Sequence, residues 1–180
     1  MGPFPLKRGL ISVYTGDGRG KTTAALGLAL RVLGWGGRVC VVQFIKGYAE
    51  IGEMRFASEH GERFILRQFQ TDLAPSIHEE DVLKRRQSAE EALAFAEQAI
   101  MSADYDLVIL DEINIALHYS LIDMKRVLEI IESKPESVEL VLTGRAAPAD
   151  LIAAADYVTE MKQIRHPFER SIPARRGIDY

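Results

Sequence analysis

Apolar residues recur along this chain in two rhythms that alternate from one end to the other. Runs that are apolar or β-branched at nearly every position stand at 9–14 (Gly-Leu-Ile-Ser-Val-Tyr), 38–45 (Arg-Val-Cys-Val-Val-Gln-Phe-Ile), 64–69, 105–110, 138–142 and 157–164. Such runs mark strands covered on both faces, as in a parallel sheet. Between them the apolar positions take helical spacing. An alanine- and leucine-rich segment from Lys21 stops at Gly34-Trp35-Gly36-Gly37, and a short helix falls within 50–62. Over 80–103, Val82, Ala89, Ala92, Leu93, Ala96 and Ile100 share one stripe, with charges on the solvated side. Residues 123–133 turn Val127, Leu128 and Ile131 inward behind Asp123 as N-cap, and Pro148 opens a short helix over 148–155. Residues 70–80, with Pro75, read as a loop, and 166–180 as a tail without regular structure.

Strands alternating with helices predict an α/β fold, a doubly wound and mostly parallel sheet with helices on both faces. The βαβ crossovers are right-handed by rule, and ligand sites in such sheets lie beyond the strands' carboxyl ends. Four segments fall there: the glycine-rich residues 15–20, residues 43–46, Asp111-Glu112 and Thr143-Gly144-Arg145.

The first carries the strongest chemistry. Thr15-Gly16-Asp17-Gly18-Arg19-Gly20-Lys21-Thr22-Thr23 joins a buried strand to a helix. In that context a Gly-Lys-Thr sequence cradles phosphate: loop and first-turn N–H groups converge on one anion. Lys21 adds a mobile positive charge, and the Thr22 hydroxyl suits Mg²⁺. The usual pattern begins with glycine, where this chain has Thr15. Asp111 and Glu112 end a buried strand and can supply oxygen to a phosphate-bound metal; the sequence does not choose between them. Arg145, after a strand end and a glycine, suits a bidentate grip on phosphate, and Lys46 stands equivalently after the second strand.

Composition narrows the picture. The 180 residues suit one domain over 1–180, with 1–8 a short N-terminal extension and 165–180 a tail near the site. A net charge of −4 argues against a nucleic-acid surface. The single cysteine, Cys40, lies inside an apolar run, which makes it a buried structural thiol and excludes an internal disulfide. No signal peptide or membrane-length apolar run is present, so the expected compartment is the cytoplasm. His60, His78, His118 and His166 have no metal-binding spacing. Trp35 is expected to pack under its glycine-rich turn.

Residues 15–25 (Thr-Gly-Asp-Gly-Arg-Gly-Lys-Thr-Thr-Ala-Ala), Val-Val-Gln-Phe-Ile-Lys-Gly (41–47), Leu-Asp-Glu (110–112), Thr-Gly-Arg (143–145) and the ending Gly-Ile-Asp-Tyr (177–180) occur in order. Together they resemble the ATP:corrinoid adenosyltransferases of the CobA/CobO/BtuR type, nearly throughout from Gly9. The Thr15 that departs from the general loop pattern is what that family carries. The resemblance implies a P-loop NTPase fold of the RecA-like kind. It also implies a reaction in which a Co(I) corrinoid attacks the 5′ carbon of ATP and triphosphate leaves. It implies ATP bound with its γ-phosphate deepest in the loop, Mg²⁺ or Mn²⁺, a homodimer, and an electron donor of the flavin type. By motif, Gly16, Asp17, Gly18, Arg19, Gly20, Lys21, Thr22 and Thr23 hold the triphosphate, and Arg145 contacts the nucleotide. Lys21, Thr22 and Glu112 carry the chemistry. Thr22 binds the metal with the Asp111-Glu112 pair, Glu112 being the preferred carboxylate. Two departures stand out. Only eight residues precede Gly9, where many members carry a longer covering segment. Residues 69–73 (Phe-Gln-Thr-Asp-Leu) contain no tryptophan where many members carry an aromatic, tryptophan-containing string, leaving Phe69 as a candidate wall of a corrinoid site. Two other functions fit the residues: a P-loop ATPase or kinase acting on the γ-phosphate, and a carrier that binds corrinoid or nucleotide without turnover.

Overall fold

A computed structural model describes residues 6–45, 51–69 and 79–179. Expectations for Lys46, for residues 70–78 of the 70–80 loop, for His78 and for Tyr180 lie outside these residues, while residues 79 and 80 are helical.

The strands are β1 (Ile11–Thr15), β2 (Val39–Gln43), β3 (Phe64–Gln68), β4 (Leu107–Asp111), β5 (Glu139–Thr143) and β6 (Tyr157–Glu160). The helices are α1 (Lys21–Gly34), α2 (Gly52–His60), α3 (Glu79–Met101), α4 (Ile113–His118), α5 (Met124–Ser133) and α6 (Ala149–Ala154), with 3-10 turns at Gly61–Arg63 and Pro167–Arg170. One six-stranded sheet runs in the order β3-β2-β4-β5-β1-β6, and every pairing is parallel.

Side chains of the inner strands alternate between two cores, as the two-residue period of a strand requires. Along β2, Val39 and Val41 join Ala25, Ala29 and Val32 of α1 on one face. Cys40 and Val42 join Leu93, Ala96 and Ile100 of α3 on the other, with α4, α5 and α6 beside them. Both faces are therefore covered, which is why β2 and β4 read as unbroken apolar runs. Burial pushes the Cys40 thiol up to about 12, so it is an inert packing group as expected. Asp123 caps α5, its carboxylate accepting from the Lys125 N–H at 3.0 Å.

Several local expectations differ from what forms. Val82 is exposed, because the first turns of α3 extend past the sheet, while Ala89 through Ile100 are buried along that stripe. The inward face of α5 is Val127, Ile130 and Ile131, and Leu128 is only partly buried. Trp35 is 73% exposed, so the turn at 34–37 leaves it on the surface instead of packing it. β6 stops at Glu160; as an edge strand with all four residues exposed it has no second layer to extend it. The six-residue helix α4 has no counterpart in the sequence pattern.

Candidate active site

The carboxyl ends of β1, β4 and β5 converge, as parallel strands in one sheet must. The loop 16–20 leaves β1 and enters α1 through Gly20, whose φ of 119° is open to glycine alone among common residues. No side chain caps α1, so its first N–H groups face the cleft without an intrahelical acceptor. Glycine at 16 and 18 has a reason invisible in the sequence. A Cβ on Gly16 would lie 2.5 Å from the Met161 carbonyl oxygen, and one on Gly18 2.6 Å from it. The chain leaving β6 runs beneath the loop, and the Gly18 N–H donates to that same carbonyl at 2.6 Å.

Thr15 acquires a role from the same packing. Its hydroxyl accepts from the Ala147 N–H at 3.1 Å and its carbonyl from the Met161 N–H at 2.8 Å. A glycine there would lose the first contact, which ties β1 to the segment following β5.

Lys21 is buried, and its ammonium donates to the Gly16 and Gly18 carbonyls at 2.6 and 2.7 Å. Burial holds its pKa below the ordinary lysine value, and neighbouring Arg145 lowers it further; Glu112, Asp17 and Asp111 act the other way. A buried ammonium held by loop carbonyls is a cation stored at the place an anion would enter.

Asp111, fully buried at the end of β4, gathers the strand ends. One carboxylate oxygen accepts from the Thr22 hydroxyl at 2.8 Å and the Thr143 hydroxyl at 2.7 Å; the other accepts from the Gln43 amide at 3.1 Å. β5 lies beside β4 in the sheet, and the Thr143 hydroxyl that donates to Asp111 also accepts from the Glu112 N–H at 3.1 Å, tying the two strand ends together. Glu112 follows in a left-handed conformation, φ 64°, that turns it out of the strand line and into the cleft wall. Gly144 at φ 135° lets the chain pass Asn114, whose Cβ would sit 2.9 Å from a Cβ there; Arg145 then lines the cleft.

The cleft encloses about 630 Å³. One wall is polar, from Asp17 to Thr23 with Glu112 and Arg145; the other is apolar, with Leu26, Leu30 and Leu33 of α1 beside Phe56 and Phe64. The structure thus brings together residues 17–23, Glu112 and Arg145, with Gly16 and Asp111 directly behind them. It does not bring Phe69 to this cleft: the ring packs against Phe95 with centroids 6.0 Å apart.

Sequence reasoning missed two contributors. Asn114 is buried in α4, and its amide donates to the Gly144 carbonyl at 2.9 Å and the Tyr14 carbonyl at 3.3 Å, pinning two strand ends. A lone amide within Ile-Asn-Ile-Ala-Leu was its signal. The other is the segment after β6, which supplies Met161 beneath the loop and His166, Gly177, Ile178 and Asp179 to the cleft. Only the tail's placement near the site was legible from the sequence.

The donor set fits Mg²⁺ in kind. The Thr22 hydroxyl and the two carboxylates are hard oxygen donors. Among the described residues there is no cluster of three or more His, Cys, Asp or Glu that could hold a metal unaided. Mg²⁺ at phosphate sites in general takes one or two protein carboxylates and completes its shell with substrate phosphates and water. Among the described residues no helix is long and apolar enough to cross a membrane.

The family model for ATP:corrinoid adenosyltransferase BtuR/CobO/CobP matches residues 7–180. A corrinoid adenosyltransferase of Pseudomonas aeruginosa is 36% identical over 97% of this chain and 85% of its own. One of Escherichia coli K12 is 34% identical over 97% and 87%. The corrinoid adenosyltransferase CobA of Salmonella typhimurium is likewise 34% identical over 97% and 87%. The solved structure of a KaiC-like protein from Pyrococcus horikoshii superposes with a TM-score of 0.55 at 15% identity, covering 88% of this chain and 75% of that one. That likeness concerns the fold alone.

Proposed function

The chain belongs to the ATP:corrinoid adenosyltransferase family, and from that premise we propose that its cleft holds ATP by the triphosphate and presents the 5′ carbon to a reduced corrinoid. The enzyme transfers the 5′-deoxyadenosyl group of ATP to a Co(I) corrinoid. The cobalt electron pair forms the Co–C bond, the C5′–O bond breaks, and its electrons leave with triphosphate.

The observation that carries the assignment of residues is the convergence of Lys21, the open start of α1, Arg145 and Glu112 on one cleft. The leaving group is highly charged, so groups that bind triphosphate lower the barrier directly. In this reading residues 16–20 and the N–H groups of Lys21, Thr22 and Thr23 cradle the phosphates. The Lys21 ammonium moves from the loop carbonyls to the anion. Arg145 neutralises the nucleotide from the end of β5. No side-chain base is needed, since the nucleophile is cobalt.

Mg²⁺, or Mn²⁺ in its place, would be held by the Thr22 hydroxyl and the Glu112 carboxylate. Asp111 acts behind them, because both its oxygens already accept hydrogen bonds. When bound, such an ion neutralises charge developing on the leaving triphosphate. A homodimer, a flavin-type electron donor and residence in the cytoplasm complete the proposal. Phe69, partly buried beside Phe95 and outside the phosphate cleft, is kept in the proposal as a wall of the corrinoid site only.

The test is to supply ATP, Mg²⁺ and a chemically reduced corrinoid. A light-sensitive alkyl-cobalt spectrum is the expected product. An unchanged corrinoid spectrum with ATP consumed would instead support hydrolysis or phosphoryl transfer at the γ-phosphate, and tight corrinoid binding without turnover would support a carrier.

A further inference from the structure

The chain beyond β6 ends in a small closed turn. The Ile178 and Asp179 N–H groups donate to the Arg175 carbonyl at 3.2 and 2.8 Å, and Gly177 supplies the positive φ of 76° that closes it. One Asp179 carboxylate oxygen accepts from the Arg175 N–H at 2.9 Å and from Arg175 Nε at 3.0 Å. Those bonds hold the Asp179 carboxyl below the usual aspartate value, so it stays ionised at assay pH.

The turn is fastened to the phosphate loop through Arg19. Its Nη2 lies 2.9 Å from the second Asp179 oxygen and also donates to the Ile178 carbonyl. Both contacts use one corner of the guanidinium. Among the described residues, Nε and Nη1 have no partner. Arg19 and residues 177–179 all line the cleft. A long arginine side chain loses rotamer freedom when it grips an anion, and less is lost when a partner already fixes it.

We propose that Asp179 is a positioning residue for the polyphosphate site: it anchors Arg19 by the Nη2 corner of the guanidinium and leaves the Nη1 N–H groups to donate to the anion. The proposal rests on reading the cleft as a polyphosphate site. Plain Coulomb reasoning predicts the opposite sign for removing Asp179, since a carboxylate beside an anion site repels the anion. The two accounts therefore separate in one measurement.

Calorimetric titration of the full chain with inorganic triphosphate and Mg²⁺ supplies it. Arg19→Ala is expected to weaken binding about tenfold, the loss of one charge-assisted contact. Asp179→Asn is expected to weaken it roughly three- to fivefold through lost positioning. The double variant should bind no worse than Arg19→Ala alone, because Asp179 acts through Arg19. Asp179→Glu, which keeps the charge, should recover part of the loss. In steady-state turnover Asp179→Asn should raise KM for ATP by the same factor, with kcat and the corrinoid KM within about twofold of wild type. Binding by Asp179→Asn that equals or exceeds wild type, or additive losses in the double variant, would overturn the proposal. A wild-type chain that binds triphosphate without adenosylating corrinoid contradicts the adenosyl-transfer reading and leaves this comparison intact; one that does not bind triphosphate contradicts both.

Discussion

Replacing Gly18 by alanine isolates the packing that shapes the phosphate loop. The added methyl would stand 2.6 Å from the Met161 carbonyl oxygen and 2.8 Å from the Lys162 carbonyl carbon. Ordinary contact begins at 3.4 Å, so the loop or the chain beneath it must yield by roughly 0.8 Å. Both obstructing atoms are backbone, so no side chain can swing away to relieve the clash. The Gly18 N–H bond to Met161, 2.6 Å long, is strained by the same movement. Overpacking of this kind costs about 1–3 kcal/mol. In a chain of this size each kcal/mol lowers Tm by roughly 2–4 °C, which scanning calorimetry resolves. The functional loss should be larger, since a misplacement near 1 Å in a reactive site costs on the order of 10²-fold in rate. The assay is kcat/KM for ATP at saturating reduced corrinoid, alongside Tm. Wild-type values of both for Gly18→Ala would refute the reasoning that Met161 sets the loop's path.

Gly27, exposed in the middle of α1 with nothing within 4 Å of where a Cβ would stand, is the control: Gly27→Ala should stabilise by about 0.5–1 kcal/mol in urea unfolding. Asp111→Asn turns an amide donor toward groups that themselves donate, so it should cost about 1–3 kcal/mol of stability by urea unfolding and weaken Mg²⁺-dependent triphosphate binding. Thr143→Val should do less of both, since the Thr22 and Gln43 contacts to Asp111 survive. Burial lowers the Lys21 pKa in the free protein, and a bound polyphosphate favours the ammonium and raises it. Binding should therefore take up protons at alkaline pH below 10.5, and triphosphate affinity should fall as pH rises through the free protein's Lys21 pKa. Titrations in buffers of different ionisation enthalpy detect the uptake, and an affinity flat across that range contradicts it.

The sheet was legible because its inner strands are buried on both faces, and burial on both faces writes an unbroken apolar run into β2 and β4. The loop, Asp111, Glu112 and Arg145 were legible because each lies at or just beyond the end of such a run. What escaped depends on contacts distant in sequence. α4 is too short for a 3.6-residue period to repeat, and it begins beside the left-handed Glu112. Asn114 reaches Gly144 and Tyr14 across two strand ends. The glycines at 16 and 18 look like an adaptation to phosphate alone, yet their missing side chains also make room for Met161, from the far end of the chain. The threonine at 15 breaks a pattern in the sequence, and the Ala147 contact supplies its physical reason.

The central claim is that the loop holds the leaving group while chemistry occurs at the far end of ATP. The direct measurement is the fate of ATP labelled at the γ-phosphate, incubated with Mg²⁺, reduced corrinoid and the full chain in the dark. The label is expected to appear as intact triphosphate, one for each Co–C bond formed. Label recovered as orthophosphate beside ADP, with no alkyl-cobalt product, would contradict it.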